Sequence, residues 1–129
     1  GRLWAPPGLQ GIWMDGAHNP DGARALADHA LACGVRPHLY FGAMGDKDLA
    51  GVARELKRMR PLSVTFIQGD APRYAKAPDL REAWGNEAPM LTVREAAAHL
   101  KAPVEAPRLV TGSLYLLGDL LRELNIQVT

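Results

Sequence analysis

Short apolar runs of about four residues alternate along this chain with longer stretches in which apolar positions return every three or four residues. The first rhythm suits buried strands and the second amphipathic helices. Ile12-Trp13-Met14 closes a strand over 11–14 that breaks at Asp15-Gly16. Asn19 is then a good N-cap, and Pro20 sits where a first helical residue has no use for its N–H. Ala23, Leu26, Ala27, Ala30 and Leu31 form the stripe of a helix that runs to about Cys33, with Gly34 as its stop. His38-Leu39-Tyr40-Phe41 is a second strand, followed by a loop over 42–48 in which Asp48 caps the next helix. That helix carries Leu49, Val52, Ala53 and Leu56 on one side, and Lys57-Arg58 suit its dipole.

The later chain repeats the pattern. Residues 63–67, Ser-Val-Thr-Phe-Ile, are the clearest strand, rich in β-branched and aromatic side chains. A loop over 68–77, a short helix over 78–84 and a weak strand near Met90-Leu91 follow. Thr92 and Glu95 form a capping box for a helix over 93–100. A strand over 108–111 leads to a last helix from Ser113, with Leu114, Leu117, Leu120, Leu121 and Leu124 expected on its buried face. At the start, Arg2-Leu3-Trp4 reads as a short edge strand before the turn-rich Pro6-Pro7-Gly8.

Strands alternating with helices of about ten residues imply βαβ units, right-handed crossovers and a mostly parallel sheet covered on both faces. The expectation is an α/β, three-layer domain with five to six strands. Periodicity carries no information on their order.

Composition narrows the class without changing this picture. The 129 residues suit a single domain, 47% hydrophobic and 22% charged, with a net charge of +1. That charge gives no bulk attraction for nucleic acid or an anionic membrane. No apolar run approaches the roughly 20 residues of a membrane span, and no signal-peptide pattern opens the chain. A lone Cys33 excludes an internal disulfide and a thiolate zinc cluster, and suits a reducing cytoplasm. The chain opens on Gly1, which reads as one domain taken from a longer protein.

Three strand-to-helix junctions stand out for chemistry: 15–19, 42–48 and 111–113. On a parallel sheet they emerge at one edge, each with free N–H groups and the positive end of a helix dipole behind it. Together they suit an anionic ligand. Each also has a plainer reading: Asp15-Gly16 as a turn, His18 as a surface histidine, Gly42 and Gly45 as loop punctuation, Ser113 as an N-cap alone. No Walker A loop and no nucleophile elbow occur. The four histidines are scattered without ligand spacing, and Arg73-Tyr74 and Arg58-Met59-Arg60 read as solvated loop and helix-end residues.

Asp15-Gly16-Ala17-His18-Asn19-Pro20 resembles the D-G-A-H-N-P signature of the folylpolyglutamate synthase / dihydrofolate synthase family, which is related to the Mur ligases. Gly1-Arg2-Leu3, Phe41-Gly42-Ala43 with Asp46-Lys47-Asp48, and the run from Val110-Thr111-Gly112-Ser113 through Leu114-Tyr115-Leu116 agree with it in order. The likeness covers nearly the whole chain but only the family's C-terminal domain. It implies a Rossmann-like domain with a six-stranded, mostly parallel sheet, belonging to a longer enzyme whose central ATPase domain, with its P-loop and magnesium ligands, is absent here.

By that resemblance the parent is a cytoplasmic, monomeric, ATP-dependent ligase. It would join L-glutamate to folate or dihydropteroate through an acyl phosphate, with ATP and Mg as its cofactors. Arg2 and Asp15 would contact ATP, His18 would lie near the phosphates or the incoming amine, and Ser113 and Lys47 would hold glutamate. This single domain, 1–129, would be folded but inactive without its own central domain. The alternatives are the equivalent domain of a peptidoglycan-building Mur ligase, and a non-catalytic nucleotide-binding or interaction domain.

Overall fold

The computed structural model describes residue 5 and residues 11–125. Its elements are β1 (Ile12–Asp15), α1 (Pro20–Cys33), β2 (His38–Phe41), α2 (Leu49–Lys57), β3 (Ser63–Gln68), α3 (Ala77–Trp84), β4 (Met90–Thr92), α4 (Val93–Lys101), β5 (Arg108–Thr111) and α5 (Leu114–Glu123). The strands form one sheet in the order β1-β5-β2-β3-β4, and every pairing is parallel. The expected strand at Arg2-Leu3-Trp4 lies outside the described residues.

Alternation along the strands sends successive side chains to opposite faces. Leu39, Phe41, Phe66 and Leu109 meet α1, α2 and α3 on one face, where Phe41 packs edge-on against Trp84 at 5.4 Å. Ile12, Met14, Tyr40, Ile67 and Val110 meet α4 and α5 on the other. Chain direction explains the split. The path moves across the sheet from β1 through β4 and returns to β5, so a constant crossover hand puts outgoing and returning helices on opposite faces. The result is the three-layer α/β architecture expected.

The helix ends follow the sequence signals. The Asn19, Asp48 and Ser113 side chains each accept a backbone N–H from their own first turn, and the Thr92–Glu95 capping box is complete. Gly34 ends α1 with φ 69°, its N–H returning to the carbonyls of Ala30 and Leu31. Arg108, only 3% exposed, closes the far end of α4 by donating to the carbonyls of His99, Leu100 and Ala102.

Four expectations fail in detail. Leu31 is exposed, because eight residues at 100° each carry it about 80° past the centre set by Ala23. Leu114 is 68% exposed, while Leu116 is fully buried with Leu120; Leu117 and Leu121 flank them, half-buried. Met59 is buried, as the turn after α2 folds back beneath the first core cluster. Tyr74 is buried as well, for reasons that belong to the site. No helix among the described residues is long and apolar enough to cross a membrane.

Candidate functional site

Strand order decides what shares the rim. β5 lies between β1 and β2, and its last residue Thr111 is in register with Asp15 on one side and Phe41 on the other. With strands about 4.8 Å apart, the three junctions that follow are immediate neighbours. Helix α5 leaves β5 toward one face while α1 and α2 leave their strands toward the other. Such a reversal opens a crevice beyond the carboxyl ends of the strands.

Close backbone approach holds the junctions together. Gly112 has φ 119°, and a Cβ there would overlap the Gly42 carbonyl; Gly42 N–H donates to Thr111 O at 3.3 Å. The Leu114 side chain lies against Gly16, and Pro20 together with the Asp48 carboxylate lies against Gly51. The starts of α1, α2 and α5 therefore converge on one region.

Asp15 is 4% exposed, and its carboxylate accepts the Ala17 N–H at 2.8 Å, which shapes the turn. Asp15 also lines a groove of about 740 Å³ with Trp13, Leu26, His29 and Leu109. His18 is exposed beside it, with Nδ1 3.1 Å from the Gly16 carbonyl. When Nδ1 carries the proton it donates to that carbonyl, leaving Nε2 as an acceptor. Ser113 is 4% exposed and its Oγ accepts from the N–H groups of Tyr115 and Leu116 at 3.0 and 3.3 Å. Lys47 is exposed in the β2–α2 loop, whose turn is closed by its own N–H on Met44 O at 3.3 Å. Asp15 at the end of β1, and His18, Ser113 and Lys47 on the loops that follow β1, β5 and β2, thus lie at one sheet edge; Arg2 lies outside the described residues. The capping bonds of Ser113 and the turn bond of Asp15 show that each has a structural task as well.

Sequence reasoning missed a fourth loop, between β3 and α3. Gly45 N–H donates to Arg73 O and Ala75 N–H to Ala43 O, both at 2.8 Å, and Met44 bridges Tyr74. This short antiparallel clasp ties the loop to the β2–α2 junction. Tyr74 is drawn inward, 2% exposed, and its hydroxyl donates to Asp119 on α5 at 2.7 Å. Burial first, and the Asp119 carboxylate second, push its phenol well above the ordinary tyrosine range. An aromatic residue in an otherwise polar loop was the available signal. Tyr115, 41% exposed, meets the Tyr74 ring edge-on at 5.9 Å and carries the Arg73 guanidinium 5.0 Å from its own ring centre.

Among the described residues, no group of three His, Cys, Asp or Glu side chains is placed to hold a metal ion. The rim offers instead three helix N-termini, one buried carboxylate, one imidazole and the cations of Lys47 and Arg73, which pair with no carboxylate among the described residues, a set suited to a polar, anionic ligand.

The sequence model of the family described as Mur ligase, glutamate ligase domain, matches residues 4–114. No curated protein sequence matches the chain. Among solved structures, Escherichia coli FolC in complex with ADP is 28% identical, with a TM-score of 0.73 over 88% of this chain. A bifunctional folylpolyglutamate synthase/dihydrofolate synthase from Yersinia pestis, complexed with AMPPNP and Mn ion, is 26% identical, with a TM-score of 0.76 over 97% of this chain. Mycobacterium tuberculosis folylpolyglutamate synthase, complexed with ADP and AMPPCP, shares the fold at 23% identity, with a TM-score of 0.75 over 98% of this chain. The chain spans 28%, 30% and 34% of those three chains respectively.

Proposed function

Because this chain belongs to the Mur ligase glutamate ligase domain family, we propose that it is the C-terminal domain of a longer ATP-dependent ligase joining L-glutamate to folate or dihydropteroate. The observation that carries this reading is the register Asp15–Thr111–Phe41, which sets three helix starts side by side beneath the residues proposed to act. The folate branch is favoured over a peptidoglycan Mur ligase by the likeness to folylpolyglutamate synthases at 28% and 26% identity.

In the proposed reaction ATP transfers a phosphoryl group to the substrate carboxylate. The glutamate amine attacks the resulting acyl carbon, loses a proton, and phosphate departs as the amide forms. This domain would form one wall of the cleft in which the reactants are held dry and aligned. The Asp15 carboxylate suits the hydroxyls of a ribose, and Arg2 would bring fixed charge to the phosphates. His18, whose Nε2 is an acceptor when Nδ1 is protonated, would receive the amine proton. Ser113 and Lys47 would hold glutamate. Magnesium is proposed to be held by the central domain of the parent chain, as the family resemblance implies.

Steady-state kinetics of the full-length enzyme test the division of labour. Asp15→Ala should raise KM for ATP more than KM for glutamate, and Ser113→Ala should do the reverse. Equal effects on both substrates would refute the assignment. The 129-residue domain alone should release no ADP in response to glutamate; robust turnover would show that the cleft needs no second wall.

A further inference from the structure

Arg73 is the residue of this edge for which the proposed reaction has so far had no use. Its surroundings are specific. Its carbonyl is tied to Gly45, two residues before Lys47, and its guanidinium lies over Tyr115, two residues after Ser113. Its backbone is therefore tied to the loop that carries Lys47, and its side chain to the first turn of the helix that Ser113 caps. Tyr115 is held in turn, since its N–H donates to Ser113 Oγ and its ring rests against the buried Tyr74. A guanidinium held over a ring face by its charge still has N–H donors to offer, and two of them side by side grip a carboxylate with two parallel bonds.

The other arginines nearby are already engaged. Tyr115 also lines a cleft of about 510 Å³ with Arg94 and Arg122. Arg94 pairs with Glu123 at 3.3 Å, and Arg122 pairs with Asp119. Among the described residues Arg73 has no carboxylate partner, and it is exposed. A dicarboxylic amino acid presents two anionic groups, and a site that selects it needs a cation for each.

We infer that Arg73 holds the side-chain carboxylate of the incoming glutamate and thereby distinguishes it from neutral amino acids of the same shape. This rests on the reading of the domain as a glutamate ligase. Lys47 and Ser113 are left with the α-carboxylate, close to the amine that reacts. Arg73 orients and selects, and takes no part in proton transfer.

The test uses the full-length enzyme with L-glutamate and its neutral isostere L-glutamine. In Arg73→Met, which keeps an unbranched side chain without the charge, KM for glutamate should rise roughly tenfold to a hundredfold, the range for losing a charge-assisted pair. KM for ATP should stay unchanged, and the preference for glutamate over glutamine in kcat/KM should fall by about the same factor. Arg73→Lys, with charge but no fork, should fall between the two. A KM for glutamate within about twofold of wild type in Arg73→Met, or an unchanged preference, overturns the inference while leaving the ligase reading intact. A wild-type enzyme that ligates no glutamate overturns both.

Discussion

Replacing Gly112 with alanine tests the close approach on which the shared rim depends. Two costs coincide at this position. The backbone holds φ 119°, outside the region open to L-residues, which costs about 1–3 kcal/mol. The added Cβ would also overlap the Gly42 carbonyl and lie 3.0 Å from the Phe41 ring. Neither neighbour is free to yield, because Gly42 is bonded to Thr111 and Phe41 is fully buried against Trp84. Overpacking of this kind adds about 1–3 kcal/mol, for a central expectation of about 4 kcal/mol. Gly34→Ala is the matched control, since Gly34 has φ 69° with nothing within 4 Å of the added Cβ. It should cost only the left-handed strain, about 1–2 kcal/mol. Urea unfolding of both variants measures the difference, predicted at about 2.5 kcal/mol, and a Gly112→Ala domain that fails to fold lies on the same side. If the two variants fall within about 0.5 kcal/mol of each other, the junctions are not packed as described.

Other consequences follow from the same packing. Tyr74→Phe should lose about 1.5–3 kcal/mol in urea unfolding, toward the lower value because Asp119 keeps its partner Arg122. The raised phenol pKa has a definite sign. Its stabilisation is complete below the ordinary value of 10.0 and is lost as pH climbs above it, because the unfolded chain releases the proton first. Native-state phenolate absorbance near pH 10 should therefore be the same in wild type and Tyr74→Phe, and a smaller step in the variant would contradict the buried hydrogen bond. On α5, Leu116→Ala should cost about 2–5 kcal/mol. Leu114→Ala should change stability by no more than about 0.5 kcal/mol in the same assay, and comparable losses would mean the helix is rotated from the orientation seen.

Local chemistry made most of the elements legible. Asn19-Pro20, Asp48, Thr92 with Glu95, and Ser113 mark four helix starts through bonds made within a few residues, so the chain itself announces them. Asp15 and His18 were legible as candidates because they stand where an apolar run breaks before a helix start, whereas Lys47 entered only through the family resemblance. Leu31 and Leu114 were misread because a helical stripe fixes a direction only within the helix. The neighbour that covers that stripe is set elsewhere in the chain. Tyr74 was misread for a similar reason, since its partner Asp119 is 45 residues away.

The amino-acid sequence alone determined an alternating α/β domain, the positions of its helix starts and the resemblance to one ligase family, all properties of residues near one another along the chain. Only the tertiary structure decided that β5 inserts between β1 and β2, bringing Asp15, the β2–α2 loop and Ser113 to neighbouring positions, and that the β3–α3 loop adds Arg73 to them. The physical reason is that strand order minimises exposed apolar area over the whole sheet. No local pattern records that sum.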